Sequence, residues 1–162
     1  MADNVAPMPI DIAKALTFLH ACTTSQPRVS YGLDAKAPND ASQPGAPAPP
    51  GFVKLDCSGF VRAVIRRSTT PKMTQFPDGS VQQHDWVRAQ GYPKATVADG
   101  GSLDGKVRIA FLPPHATPDH IGHVVLLHEG QTLESHGGVG PDRRNWSALP
   151  WRTHTEVFEL TW

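Results

Sequence analysis

Cysteine is scarce in this chain. Cys22 and Cys57 are the two copies in 162 residues. They could pair with each other, but they do not make a disulfide framework, so a small stapled scaffold is excluded and an apolar core must hold the fold. Neither sign of charge is in excess, with 15 Lys and Arg against 15 Asp and Glu. A nucleic-acid binder usually carries a basic excess or stripe. The Arg66-Arg67 and Arg143-Arg144 pairs are too short to supply one, so no nucleic-acid partner is expected. No apolar run approaches the roughly 20 residues that a membrane-spanning helix needs, and no membrane partner is expected. The opening MADNVAPMPIDIAKALTFLH lacks a basic segment followed by an apolar run and a small-residue cleavage site. No Sec leader is therefore expected. Synthesis in the cytoplasm is expected, with another route of export for any work outside it.

What is abundant is turn chemistry. The 14 Gly and 16 Pro argue for many turns and few long helices. A first helix is expected over Asp11 to Ala21, with Asp11 as its cap and Ile12, Ala15, Leu16 and Leu19 on one face. Tyr31-Gly32 reads as a turn. Residues 37–51 (APNDASQPGAPAPPG) have no periodicity and read as a loop inserted in a single catalytic domain spanning 1–162. The segment LDCSGFVRAVIRR is the most helix-like in the chain, and Ser80 to Gln90 reads as a short helix stopped by Gly91 and Pro93. After Gly100-Gly101, strands are expected over 106–112, 122–128, 131–136 and 155–162. Helices followed by an antiparallel meander make the fold class α+β.

The chemistry concentrates on Cys57. It stands at the start of a helix directly after Asp56. Unpaired backbone N–H groups and the positive end of the helix dipole favour an anionic sulfur there, and the same amides can hold a developing oxyanion. Gly59 leaves room for backbone to approach closely.

A base must come from elsewhere. Gly122 to His128 and Gln131 to His136 read as a hairpin turning at Glu129-Gly130. With a two-residue loop His128 faces Gln131, and counting back sets His123 opposite His136 on the same face. That spacing predicts a relay in which His123 takes the thiol proton and His136 orients it. Glu134 shares the face but lies two residues further from His123 in this register.

These pieces resemble a known family. The run D-C-S-G-F-V at 56–61, then G-H-V-V-L-L at 122–127, then E-S-H at 134–136, is similar to the NlpC-type family of papain-like cell-wall cysteine peptidases. Tyr31-Gly32 is similar to that family's Tyr–Gly segment, and the likeness covers about 31–136. The resemblance implies an antiparallel sheet packed on the helix whose N-terminus carries the cysteine. It implies hydrolysis, without a cofactor or metal, within the peptidoglycan stem peptide, at the D-Glu to diamino-acid bond. It also implies that Tyr31, Asp56 and Ser58 line the substrate cleft. The chain departs from the family where the long Pro/Ala loop precedes the nucleophile, and where Asp104-Gly105-Lys106-Val107 replaces a Pro-Gly-Asp-Leu strand start. A small enzyme of this type resembles an interbacterial effector amidase delivered by type VI secretion into a target cell's periplasm, with a cognate immunity protein as a partner, or a phage lysin.

Two other classes compete. His115, His120, His123, His128 and His136 with Asp119 and Glu134 contain enough ligands for a zinc hydrolase, although no H-E-x-x-H spacing is present. A wall- or partner-binding module of the same fold would lack a catalytic member, and none is missing. A Cys–His acyltransferase would share the chemistry and differ in acceptor.

Overall fold

A computed structural model describes residues 5–38, 44–46 and 51–162. Most of the inserted loop expected at 37–51 lies outside the described residues. The first helix, α1 (Ile12–Thr24), starts where Asp11 Oδ1 accepts the amides of Ala13 and Lys14 at 3.0 and 3.3 Å. It buries Ala15, Phe18, Leu19 and Cys22, a stripe at helical spacing. Both cysteines are free. Strands β1 (Ser30–Tyr31) and β2 (Lys54–Leu55) pair in parallel. Tyr31-Gly32 is therefore not a turn: Tyr31 ends a strand and the chain turns just after Gly32.

Helix α2 (Cys57–Ser68) is buried on almost every side, because α1 covers one flank and the sheet the other. Phe18 and Phe60 stack across α1 and α2 with ring centres 6.0 Å apart. Helix α3 (Ser80–Gln90) ends at Gly91, which takes the left-handed conformation with φ +83° that closes a helix cheaply in glycine.

The described strands of the main sheet are β3 (Lys94–Ala95), β4 (Arg108–Leu112), β5 (His123–His128), β6 (Gln131–His136), β7 (Gly140–Asp142) and β8 (Glu156–Glu159). Their order is β3-β8-β4-β5-β6-β7, antiparallel throughout. The fold is α+β, as the order of helices and strands along the chain predicts. Alternation along β5 divides the core. Val124 and Leu126 join the cluster beneath α2, while Val125 and Leu127 pack with Trp146 and Leu149 on the opposite face. Residues 146–154, short turns of 3-10 helix, cover that second face.

Candidate functional site

The β1–β2 ladder sets Tyr31 beside Leu55. Asp56 follows with its amide on Ala35 O at 3.0 Å, and the chain turns into α2 at Cys57. Asp56 caps the helix through Oδ1, which accepts the Gly59 amide at 2.6 Å. The amides of Cys57 and Ser58 have no acceptor among the described residues. They remain available for an incoming anionic oxygen.

Strand β6 supports this turn from both faces. Ser135 Oγ donates to Leu55 O at 2.7 Å, bracing the strand that leads into Cys57. On the other face Glu134, fully buried, accepts from His123 Nε2 at 3.0 Å. The Cys57 thiol is near enough to the same imidazole to act on its ionisation. An ionised carboxylate only accepts, so Nε2 carries the proton toward Glu134 and Nδ1 is left for the sulfur. Burial alone would push the His123 imidazole down, but the hydrogen bonds to Cys57 and Glu134 outweigh it and hold the group up at about 9. For Glu134 burial pushes upward, and hydrogen bonds from His123 and Arg144 bring it down to about 2.

Two residues beyond the expected set complete the surroundings. Arg144 grips the Glu134 carboxylate through Nε and Nη2 at 3.1 and 2.5 Å. Trp151 stands edge-on to the His123 ring at 5.4 Å and lies under the Arg144 guanidinium at 5.8 Å. Neither carried a sequence signal, since both come from the irregular 143–154 segment.

His136 is placed differently from the expected relay. Its Nε2 lies 2.9 Å from Asp142 Oδ2 on β7, and the partner of His123 is Glu134. The hairpin itself turns as expected, with His128 facing Gln131. The ladder between β5 and β6 runs from there to Leu126–Leu133 only, while Glu134 and His136 pair with β7. The two strands part at the His123 end, and the Glu134 carboxylate enters the gap.

Tyr31, Asp56 and Ser58 line one cleft with Cys57, of about 300 Å³, together with Asp34, Lys36 and the first turn of α3. Leu33, Val81 and Ile121, three of the exposed large aliphatics, form part of its rim. Tyr31 is raised to about 12 by burial first and then by its neighbours, Cys57 and Asp56 foremost. The Asp56 and Ser58 side chains are occupied within the protein: Ser58 Oγ donates to Asp56 Oδ1 at 3.3 Å and accepts from Lys36 at 2.9 Å.

The histidines proposed as zinc ligands do not converge. Among the described residues no group of three or more His, Cys, Asp or Glu side chains is arranged to hold a metal ion. No described helix is long and apolar enough to cross a membrane. Against known proteins, the chain matches no family model and no curated protein. The geometry therefore stands on its own: an imidazole between a thiol and a buried carboxylate, beside a cleft lined in part by Cys57 and Ser58.

Proposed function

We propose that the chain is a papain-like cysteine hydrolase whose triad is Cys57, His123 and Glu134. The observation that carries this reading is the imidazole of His123 held between a thiol and a buried carboxylate. The sulfur attacks the scissile carbonyl, and the amides of Cys57 and Ser58 take the charge that develops on its oxygen. His123 holds the thiol proton and delivers it to the leaving amine. It then draws a proton from the water that cleaves the thioester and returns Cys57. Glu134 fixes the tautomer of His123 and stabilises its charged form. Arg144 in turn offsets the carboxylate, which is too deeply buried to be left alone.

The substrate class comes from the NlpC-type resemblance of the Cys57 and His123 segments. On that likeness the substrate is the peptidoglycan stem peptide, cut between D-Glu and the diamino acid, by an antibacterial effector. The open cleft beside Cys57, with an aliphatic rim and a polar floor, suits a short peptide carrying small apolar side chains and charged groups. The test is mass spectrometry of muropeptides after purified peptidoglycan is digested by wild type and by Cys57→Ala. Stem peptides cut with the glycan intact, in the wild type alone, are the expected result. New reducing sugar ends, or equal cleavage by Cys57→Ala, would overturn it.

A further inference from the structure

Beside the nucleophile lies a charge that the triad does not use. Lys36, between β1 and β2, reaches across the first turn of α2. Its ammonium is ion-paired with Asp56 Oδ2, donates to Ser58 Oγ at 2.9 Å and meets Asp78 Oδ1 at 3.2 Å. The Asp56 side chain is 7% exposed and that of Asp78 42%, so the contact with Asp56 is the one shielded from water. The Lys36 stem lies where Gly59 has no side chain. A Cβ on Gly59 would come within 2.9 Å of Lys36 Cδ and 2.8 Å of Asp56 Oδ1.

The consequence is electrostatic. Asp56 is needed as the cap of α2, yet a carboxylate immediately before a cysteine opposes a negative sulfur. A cation on its second oxygen removes most of that opposition. The other groups facing this region are Tyr31 on β1, Asp34 just after it, Asp119 ahead of β5, and His123 on β5. Asp78 and Arg62 stand behind Lys36, 4.0 Å from each other. Among the described residues lining the cleft, Lys36 is the one cation.

We propose, resting on the cysteine-hydrolase reading above, that Lys36 is a positioning residue for the nucleophile. It neutralises Asp56, so that the carboxylate caps α2 without setting an unbalanced negative charge beside Cys57.

The test follows two readouts against pH: kcat/KM for stem-peptide hydrolysis, and the rate of Cys57 alkylation by iodoacetamide. The variants are Lys36→Met, Lys36→Arg, Asp56→Asn and the double variant Lys36→Met/Asp56→Asn, with folding checked by circular dichroism. Lys36→Met should move the acid limb of both profiles up by about one pH unit, roughly a tenfold loss below the limb. Lys36→Arg should hold the limb near its wild-type position. The double variant should bring it back, because asparagine still caps a helix and the unbalanced charge is gone. Asp56→Asn alone should move the limb to lower pH. An unshifted limb in Lys36→Met overturns the proposal, as does a double variant as impaired as Lys36→Met, which is what a merely structural role would give. Should Lys36→Met fail to fold, Asp56→Asn decides: a limb that stays or rises overturns the proposal. If wild-type Cys57 alkylates no faster than Cys22, it is the cysteine-hydrolase reading that fails. If Cys57 alkylates fast but peptidoglycan is untouched, the substrate class fails and the alkylation profiles still decide the role of Lys36.

Discussion

Glu134 Oε1 lies 3.0 Å from His123 Nε2, although the two residues are diagonal and not opposite across the β5–β6 hairpin. Diagonal Cα atoms in a sheet stand roughly 7–8 Å apart, a gap that a glutamate and a histidine side chain together can bridge. Here the β5–β6 ladder ends at Leu126–Leu133, short of both residues, and β6 continues against β7. His123 stays behind, held by Leu112 of β4. The carboxylate thus reaches the imidazole from the side, with Arg144 behind it.

Glu134 should therefore matter more than His136. Glu134→Gln keeps the shape but loses the charge, and kcat should fall by up to about 10⁴, the loss seen when the orienting carboxylate of a triad is neutralised. His136→Ala should retain most of its turnover, because its ring is engaged with Asp142. Steady-state kinetics on a stem-peptide substrate, with circular dichroism as the folding check, compares the two. A dead His136→Ala beside a fully active Glu134→Gln would reverse the assignment.

The difference between these two residues marks where the sequence stops being legible. The helix start at Cys57, the Asp11 cap, α3 at Ser80–Gln90 and the turn at Glu129-Gly130 are local features, carried by caps, periodicity and turn residues. Register counted from that turn is correct for three pairs and then loses its meaning, because the β5–β6 ladder ends at Leu126–Leu133. A two-residue strand such as β1 or β2 has no period to read. Arg144, Trp151 and Lys36 belong to irregular segments, whose positions depend on tertiary contacts alone. Cys57 and His123 are legible because each sits at the start of a regular element. The Glu134 contact with His123 is not, since it depends on where the β5–β6 ladder ends.

The two thiols should differ sharply in reactivity. Cys22 is wholly buried in α1, and that burial pushes it up to about 12. Cys57 lines the open cleft and contacts His123. Iodoacetamide near neutral pH should modify Cys57 and leave Cys22 intact, with loss of hydrolysis in step with labelling. Peptide mapping locates the adduct. Equal labelling with activity retained would sink the cysteine mechanism.

Trp151 should act through the imidazole it abuts. Trp151→Ala removes the ring beside His123, the platform under Arg144 and an edge contact with Trp146 at 5.9 Å. We expect kcat to fall about tenfold with KM little changed, and a stability loss of about 1–3 kcal/mol. Trp151→Phe should recover most of both. Urea unfolding and steady-state kinetics on the two variants separate the effects. Equal loss in Trp151→Phe would mean that bulk and edge contact are not what the site needs.

The pH dependence of stability tests whether the buried pair is ionic. His123 is held at about 9, above its ordinary 6.5. A histidine raised in this way stabilises the fold fully below pH 6.5, and the contribution is lost as pH rises through about 9. Glu134 is held at about 2, below its ordinary 4.5. Its contribution is fully present above pH 4.5 and is lost as pH falls towards 2. The two shifts describe one interaction and are counted once. The stability difference between wild type and Glu134→Gln should then be greatest between pH 4.5 and 6.5 and narrow on both sides. The alkaline narrowing should be partial, because Cys57 also raises His123 and Arg144 keeps its hold on Glu134 at high pH. Urea midpoints of the two proteins at pH 3, 5.5 and 9.5 measure this directly. A difference that stays constant across the series would mean that the His123–Glu134 contact is a neutral hydrogen bond, and that Glu134 orients the imidazole without stabilising its charge.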